Sequence, residues 1–297
     1  MSVSEVKDRV AIITGSGKGL GRAFALDWAK RGGRVVVNNR KRDSANPAVD
    51  VVSEIKAFGG EAIADTHDIR DDNAPSALVD AAVQAWGRVD ALVLNAGVSG
   101  PAARFSDMPN EAFRDVLETN FFANLEIVRA ALPQLRTSDA GRLVFVASSA
   151  GLYGVRGRST YAASKGALIG LALSLAHEMR RDGVGVNVLA PYAATQMTAD
   201  TISADASLAE RMAPEKVAPL ASWLVSPACK ANGEIWVAGG GYVRRARMME
   251  GGGGAVDVHA NLDWFAQNHK RLGDFSAPLG FPGAEAAFAD FLSKTST

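Results

Sequence analysis

Short, mostly β-branched apolar runs alternate along this chain with longer segments whose apolar residues recur at helical spacing. That alternation restricts the fold more than any other feature. The runs span residues 10–14, 34–38, 61–65, 91–95, 142–148, 185–190 and 235–238. Between them, segments such as 19–32 place Leu20, Phe24 and Trp28 four residues apart, with Gly32 as a stop. Strand and helix in strict turn imply an α/β protein: a mostly parallel sheet with helices on both faces.

A chain of 297 residues suits one large α/β domain or two small ones. Its 32 basic and 32 acidic residues cancel, so net charge gives no drive toward nucleic acid or an anionic membrane. The single cysteine, Cys229, excludes an intramolecular disulfide framework. His67, His177, His259 and His269 are scattered without ligand spacing, so no metal site is expected. The longest apolar run, 167–176, is too short to cross a bilayer, and residues 1–9 lack the apolar block of a signal peptide. A cytoplasmic protein without nucleic-acid or membrane partners is the expectation. Residues 251–254 are four glycines, a composition that resists ordering. They sit in a tail that reads as an extension, 244–297, of a main domain, 1–243, with helices around 259–271 and 283–294. The extension is expected to pack on the main domain or on a neighbouring subunit.

The turn after the first run reads TGSGKGLG, residues 14–21. Gly15, Gly19 and Gly21, with Thr14 before them and Lys18 and Leu20 between, let the backbone turn sharply and approach a pyrophosphate. The helix that follows aims its unpaired N–H groups at the phosphates. A dinucleotide is the implied ligand. The second run then ends in Asn38, Asn39, Arg40, Lys41 and Arg42. In a doubly wound sheet the end of this strand meets the adenosine ribose. An acid there suits the 2′-hydroxyl of NAD, and a cation suits the 2′-phosphate of NADP. Asn39 holds the acid position and Arg40 follows, while Lys18 lies within reach from the glycine turn. NADP(H) is therefore expected over NAD(H), and Asp43 stands too far on to serve as the ribose acid.

Tyr161 and Lys165 lie four apart in a helical segment and share one face. An adjacent ammonium favours phenolate, lowers a phenol's pKa from its usual value of about 10, and makes it usable as a general acid or base. Ser148 and Ser149 close the fifth run, at the sheet edge where ligands of such folds bind.

Taken together, Thr14-Gly-x3-Gly-x-Gly21, the NAG of Asn95, Ala96 and Gly97, Ser148, and YAASK at 161–165 resemble the short-chain dehydrogenase/reductase family over residues 7–242. The resemblance implies a Rossmann-type doubly wound parallel sheet of about seven strands, order 3-2-1-4-5-6-7, with a C-terminal extension. It implies Ser148, Tyr161, Lys165 and Asn120 as catalytic residues, Asn120 holding through its backbone a water that extends the proton relay from the lysine. It further implies adenine contacts from Asp68 and Ile69, cofactor contacts from Pro191 and Thr195, ribose contact from Lys165, and pairing into a homodimer or homotetramer.

The stretches VNVLAPYAATQMT and GEIWVAGGGYVRRARMMEG also resemble a narrower group, the (3R)-hydroxyacyl-CoA dehydrogenase domains of peroxisomal multifunctional enzymes and their bacterial relatives. That group carries Asp where Asn39 stands here, a difference that fits NADP. Where the family has glycine after Pro191, this chain has Tyr192, which either projects toward substrate or packs. Ser149, Tyr192 and Met197 are the expected substrate residues. The expected activity interconverts a secondary alcohol and a ketone by hydride transfer. A 3-hydroxyacyl-CoA/3-ketoacyl-CoA pair and a hydroxysteroid or other bulky hydrophobic ketone are rival substrates. A non-catalytic NADP-binding sensor is the reading from a different class.

Overall fold

Apolar on both faces, the strands of this chain can be satisfied only inside a parallel sheet covered by helices on each side. A computed structural model of the protein describes residues 6–41, 45–194, 205–256 and 259–295. It divides into two compact units, Met1–Arg245 and Ala246–Thr297.

The first unit alternates strand and helix. β1 (Val10–Ile13) leads through the glycine turn to α1 (Gly19–Lys30), β2 (Arg34–Asn38), α2 (Pro47–Ala57), β3 (Glu61–Asp65), α3 (Ala74–Trp86) and β4 (Ala91–Leu94). Then come α4 (Asn110–Leu117), a π turn (Glu118–Phe122), α5 (Ala123–Thr137), β5 (Arg142–Val146), the short α6 (Ser149–Tyr153) and α7 (Ser159–Glu178). β6 (Gly185–Pro191), α8 (Ala206–Arg211), α9 (Ala218–Leu224), β7 (Ile235–Gly239) and β8 (Tyr242–Ala246) complete the series. The sheet order is β3-β2-β1-β4-β5-β6-β7-β8, and β1 to β7 pair in parallel. This is the Rossmann-type order expected, with one strand added.

The added strand was hidden by its own exposure. Tyr242, Val243, Arg244 and Arg245 are all solvent-facing, so no apolar alternation marks them. The legible signal was the turn instead. Gly240 and Gly241 have φ of +60° and +79°, as a two-residue hairpin requires, and a connection that short joins antiparallel neighbours.

Packing follows the helical spacing. Phe24 and Trp28 on α1 are buried, and Trp28 donates from Nε1 to the Arg34 carbonyl at 3.0 Å. At the N-terminal edge of the sheet the fully buried Asp90 accepts from the Val10 amide at 2.9 Å and pairs with Arg88 and Arg9. Burial pushes the Asp90 carboxyl up, but bonds from Arg88, Ser138 and Val10 outweigh it and hold the pKa below the ordinary value. The second unit holds α10 (Leu262–Leu272) and α11 (Ala284–Thr295), with a bridge between Glu250 and Leu279. No helix among the described residues is long and apolar enough to cross a membrane.

Candidate active site

Every strand of a parallel sheet ends on the same edge, so the loops after β1, β2, β3 and β4 must converge. They enclose a cleft of about 440 Å3 lined by Gly15, Lys18, Gly19, Leu20 and Gly21 from the first loop and by Asn39 and Arg40 from the second. Asp68 and Ile69 enter from the third, and Asn95, Ala96 and Gly97 from the fourth. A larger cavity, about 690 Å3, opens at the opposite edge around Arg9, Arg88, Asp90 and Asp139. Its charges are already paired with one another. The carboxyl edge is where the chemistry collects.

The first loop is a cradle that side chains would fill. Gly15 has φ of +62°, and a Cβ there would meet the Ala96 Cα at 2.8 Å. A Cβ on Gly21 would stand 2.4 Å from the Gly15 carbonyl oxygen and 2.6 Å from Asn95 Nδ2. Gly17 is equally constrained, by Asn39 and Pro47 at 2.6–2.8 Å. Its role was missed because the motif spacing leaves that position free. Thr14 lies behind the cleft wall: it is fully buried, and its hydroxyl accepts from the Asn95 and Ala96 amides at 3.0 Å each. Asn95 in turn donates to the Thr14 and Gly15 carbonyls, locking β4 to the turn. Backbone this close and this rigid fits a pyrophosphate. Gly21→Ala should therefore lower stability by about 2–3 kcal/mol and weaken binding of a nicotinamide dinucleotide at least tenfold, roughly 1.4 kcal/mol. Chemical unfolding and fluorescence titration measure the two effects.

At the adenosine end, Asn38 is buried and committed to structure, donating to Asp65 at 2.7 Å and to the His67 carbonyl at 3.1 Å. Asn39 is the half-exposed amide in the cleft, and its side chain donates to the Arg40 carbonyl at 3.0 Å. Arg40 pairs with Asp68 at 2.7 Å, and Arg70 shares the same carboxylate at 3.0 Å. Burial pushes the Asp68 carboxyl up, but hydrogen bonds from Arg70 and Arg40 hold it well below the usual range. Two guanidiniums thus share one carboxylate, and Asp71 and Asp115 also face Arg70. Contact between Arg40 and Asp68 was not legible from residues so far apart in sequence.

The four residues expected to be catalytic assemble where β5, α7 and the π turn meet. Ser148 caps α6, accepting from the Ala150 amide at 3.2 Å, and its hydroxyl favours the Tyr161 phenolate. Lys165 is buried and donates from Nζ to the Val146 carbonyl at 2.8 Å, with Nζ 5.7 Å from the centre of the Tyr161 ring. Asn120 is fully buried in the π turn and spends its side chain on structure. It accepts from the Val98 amide at 2.7 Å and donates to the Val98 carbonyl and to Ser164 Oγ at 2.9 Å. Gly97 joins this group to the cleft, for a Cβ there would lie 2.9 Å from Asn120 Oδ1 and 3.5 Å from Lys165 Nζ.

Electrostatics differ from expectation in one respect. Burial pushes the Tyr161 phenol up, and the Ser148 hydroxyl only partly offsets that. Burial also pushes the Lys165 ammonium down to about 8. Tyr161 is thus a protonated acid near neutrality beside a lysine that titrates close to it. An ammonium has three N–H donors, and the Val146 carbonyl takes one of them. The others suit ribose hydroxyls or water.

Of the expected substrate residues, Ser149 begins α6 beside Ser148, and Tyr192 is 41% exposed, so it is not a core side chain. Pro191 ends β6, paired with Ala238. Thr195 and Met197 lie outside the described residues. Among the described residues no group of three His, Cys, Asp or Glu side chains is placed to hold a metal ion.

The family model for short chain dehydrogenases matches residues 9–206. A short-chain type dehydrogenase/reductase of Mycobacterium tuberculosis, Rv0148, is 34% identical over 91% of this chain and 96% of its own length. The hydroxyacyl-CoA dehydrogenase ChsB1 of the same organism is 36% identical over 82% of this chain and 80% of its own. Among solved structures, full-length peroxisomal multifunctional enzyme type 2 from Drosophila melanogaster superposes with a TM-score of 0.80 at 27% identity, covering 97% of this chain. The chain spans 49% of that structure, and 28% to 56% of the length of the multifunctional peroxisomal enzymes it matches in sequence.

Proposed function

The chain belongs to the short chain dehydrogenase family, and from that premise we propose that it is an NADP(H)-dependent oxidoreductase interconverting a 3-hydroxyacyl-CoA and its 3-ketoacyl-CoA. The observation that carries the catalytic part is the buried Lys165 ammonium 5.7 Å from the centre of the Tyr161 ring, one helical turn on, with Ser148 favouring the phenolate. The acyl-CoA part rests on likeness to a named hydroxyacyl-CoA dehydrogenase and to multifunctional peroxisomal enzymes.

When bound, the nicotinamide would supply a hydride to the carbonyl carbon in reduction or accept one from the carbinol carbon in oxidation. The glycine turn and the N-terminal end of α1 would hold the pyrophosphate, Asp68 and Ile69 would flank the adenine, and Lys165 would hold the nicotinamide ribose. Ser148 donates to the substrate oxygen and orients it. Tyr161 gives that oxygen its proton in reduction and takes it back in oxidation. The Lys165 ammonium stabilises the phenolate left behind. Asn120 orders Val98 and α7 around this group, and its carbonyl carries the relay onward. Arg40 and Lys18 favour the 2′-phosphate, a role in which a planar guanidinium pairs well with phosphate oxygens.

Comparing kcat/KM for acetoacetyl-CoA with that for a 3-ketosteroid tests the substrate class. Acetoacetyl-CoA should be reduced at least tenfold more efficiently, about 1.4 kcal/mol in transition-state binding. Preference for the steroid would favour the bulky-ketone reading and leave the catalytic assignment in place.

A further inference from the structure

The turn that carries Asn120 contains a second buried amide. Asn124 is fully buried and stands one turn along, at the start of α5. Its Nδ2 donates to the Asn120 backbone carbonyl at 2.7 Å. Its Oδ1 is buried without a partner among protein groups. An unsatisfied buried acceptor costs about 1–3 kcal/mol, so an amide kept there needs a reason. Leu or Ala would fill the helix at no such cost.

The neighbourhood supplies one. A π turn spans Glu118–Phe122, and such turns shift helical hydrogen bonding and cluster at functional sites. The same turn is tied to α7 through Asn120 and Ser164, the residue before Lys165. Lys165 is buried with one ammonium proton on the Val146 carbonyl, so its remaining donors need acceptors. Oδ1 and Nδ2 share one carbon, so Oδ1 opens beside the Asn120 carbonyl. Two acceptors side by side, on a turn whose Asn120 side chain and Lys165 Nζ both border Gly97, make a site for a water that bonds both.

We propose that Asn124 is a positioning residue of the proton relay. Its amide holds the Asn120 carbonyl and supplies a second acceptor for the water that solvates Lys165. The inference rests on the proposed dehydrogenase reading for its purpose but not for its test. Losing the amide leaves the lysine's ammonium poorly solvated. The lysine then loses its proton more easily and titrates lower.

The test pairs Asn124→Leu, which keeps volume and removes both polar atoms, with Asn124→Ser. A helical serine donates to the carbonyl four residues back and still accepts from water. Lys165 ionisation is followed in the free enzyme by NMR of 13Cε-labelled lysine, with Lys165→Met identifying its signal. The expected result is a titration about one unit lower in N124L, tenfold in proton affinity, and near the parent in N124S. With acetoacetyl-CoA and NADPH, kcat should fall about tenfold in N124L with KM within about twofold, and N124S should recover most of it. If N124L does not fold, N124A against N124S makes the same comparison. A Lys165 titration that is the same with and without the amide overturns the inference. A parent enzyme that reduces no carbonyl overturns the proposed function instead, and the titration still decides the role of Asn124.

Discussion

Tyr161→Phe lowers kcat for carbonyl reduction by about a thousandfold, within the range of general acid catalysis, while NADPH still binds. The substitution removes one oxygen from a ring held between Ser148 and the Lys165 ammonium, so the site keeps its shape. What is lost is the proton delivered to the nascent alkoxide. A purely structural Tyr161 would instead cost stability and leave kcat within a few-fold, and stopped-flow hydride-transfer rates separate the two. The pH profile carries a further signature. Reduction needs Tyr161 protonated, which burial secures well above neutrality. It also needs Lys165 charged, and burial brings that ammonium to about 8. The rate of reduction should therefore decline as pH rises through about 8, with Lys165 setting the alkaline limb rather than Tyr161. Replacing Lys165 by methionine should remove that limb along with most of the activity.

Asn39→Asp reverses the cofactor preference, raising the NADH-to-NADPH ratio of kcat/KM by about a hundredfold, or 2.8 kcal/mol. The magnitude follows from charge. A carboxylate within about 4 Å of a phosphate at the protein surface repels it by about 4 kcal/mol per unit charge at an effective dielectric of 20. The same carboxylate gains a hydrogen bond from the ribose of NAD. The new acid also competes with Asp68 for Arg40, which draws the guanidinium away from the 2′ position. Asn38 is the control. It lies beside Asn39 but is buried on Asp65 and the His67 carbonyl, so Asn38→Asp should damage the fold without inverting the preference. Initial rates with both cofactors distinguish these outcomes.

How much of this was legible in the residues differs by element. The seven core strands were readable because each is apolar on both faces and bounded by turn formers. Their ends were read one or two residues long where a polar residue still extends the chain, as at Thr14, Asn95 and Ser148. β8 was not readable, for its exposed arginines carry no periodicity, and only the glycine pair before it marked the hairpin. Spacing put Tyr161 and Lys165 on one helix face and Ser148 at the sheet edge, but their expected roles came from the family resemblance. The direction of the Tyr161 pKa did not, because burial depends on packing that spacing does not encode. Nor did the Arg40–Asp68–Arg70 cluster, whose members come from different loops, or the Asn124 bond, which needs the π turn to aim it. Local periodicity reports local structure, and the contacts that tune a site are long-range.

The most direct measurement is the initial rate of acetoacetyl-CoA reduction with NADPH and with NADH in parallel. The account predicts turnover with both and NADPH preferred by at least about tenfold in kcat/KM, 1.4 kcal/mol or more. Preference for NADH would contradict the reading of Asn39, Arg40 and Lys18 as a 2′-phosphate site.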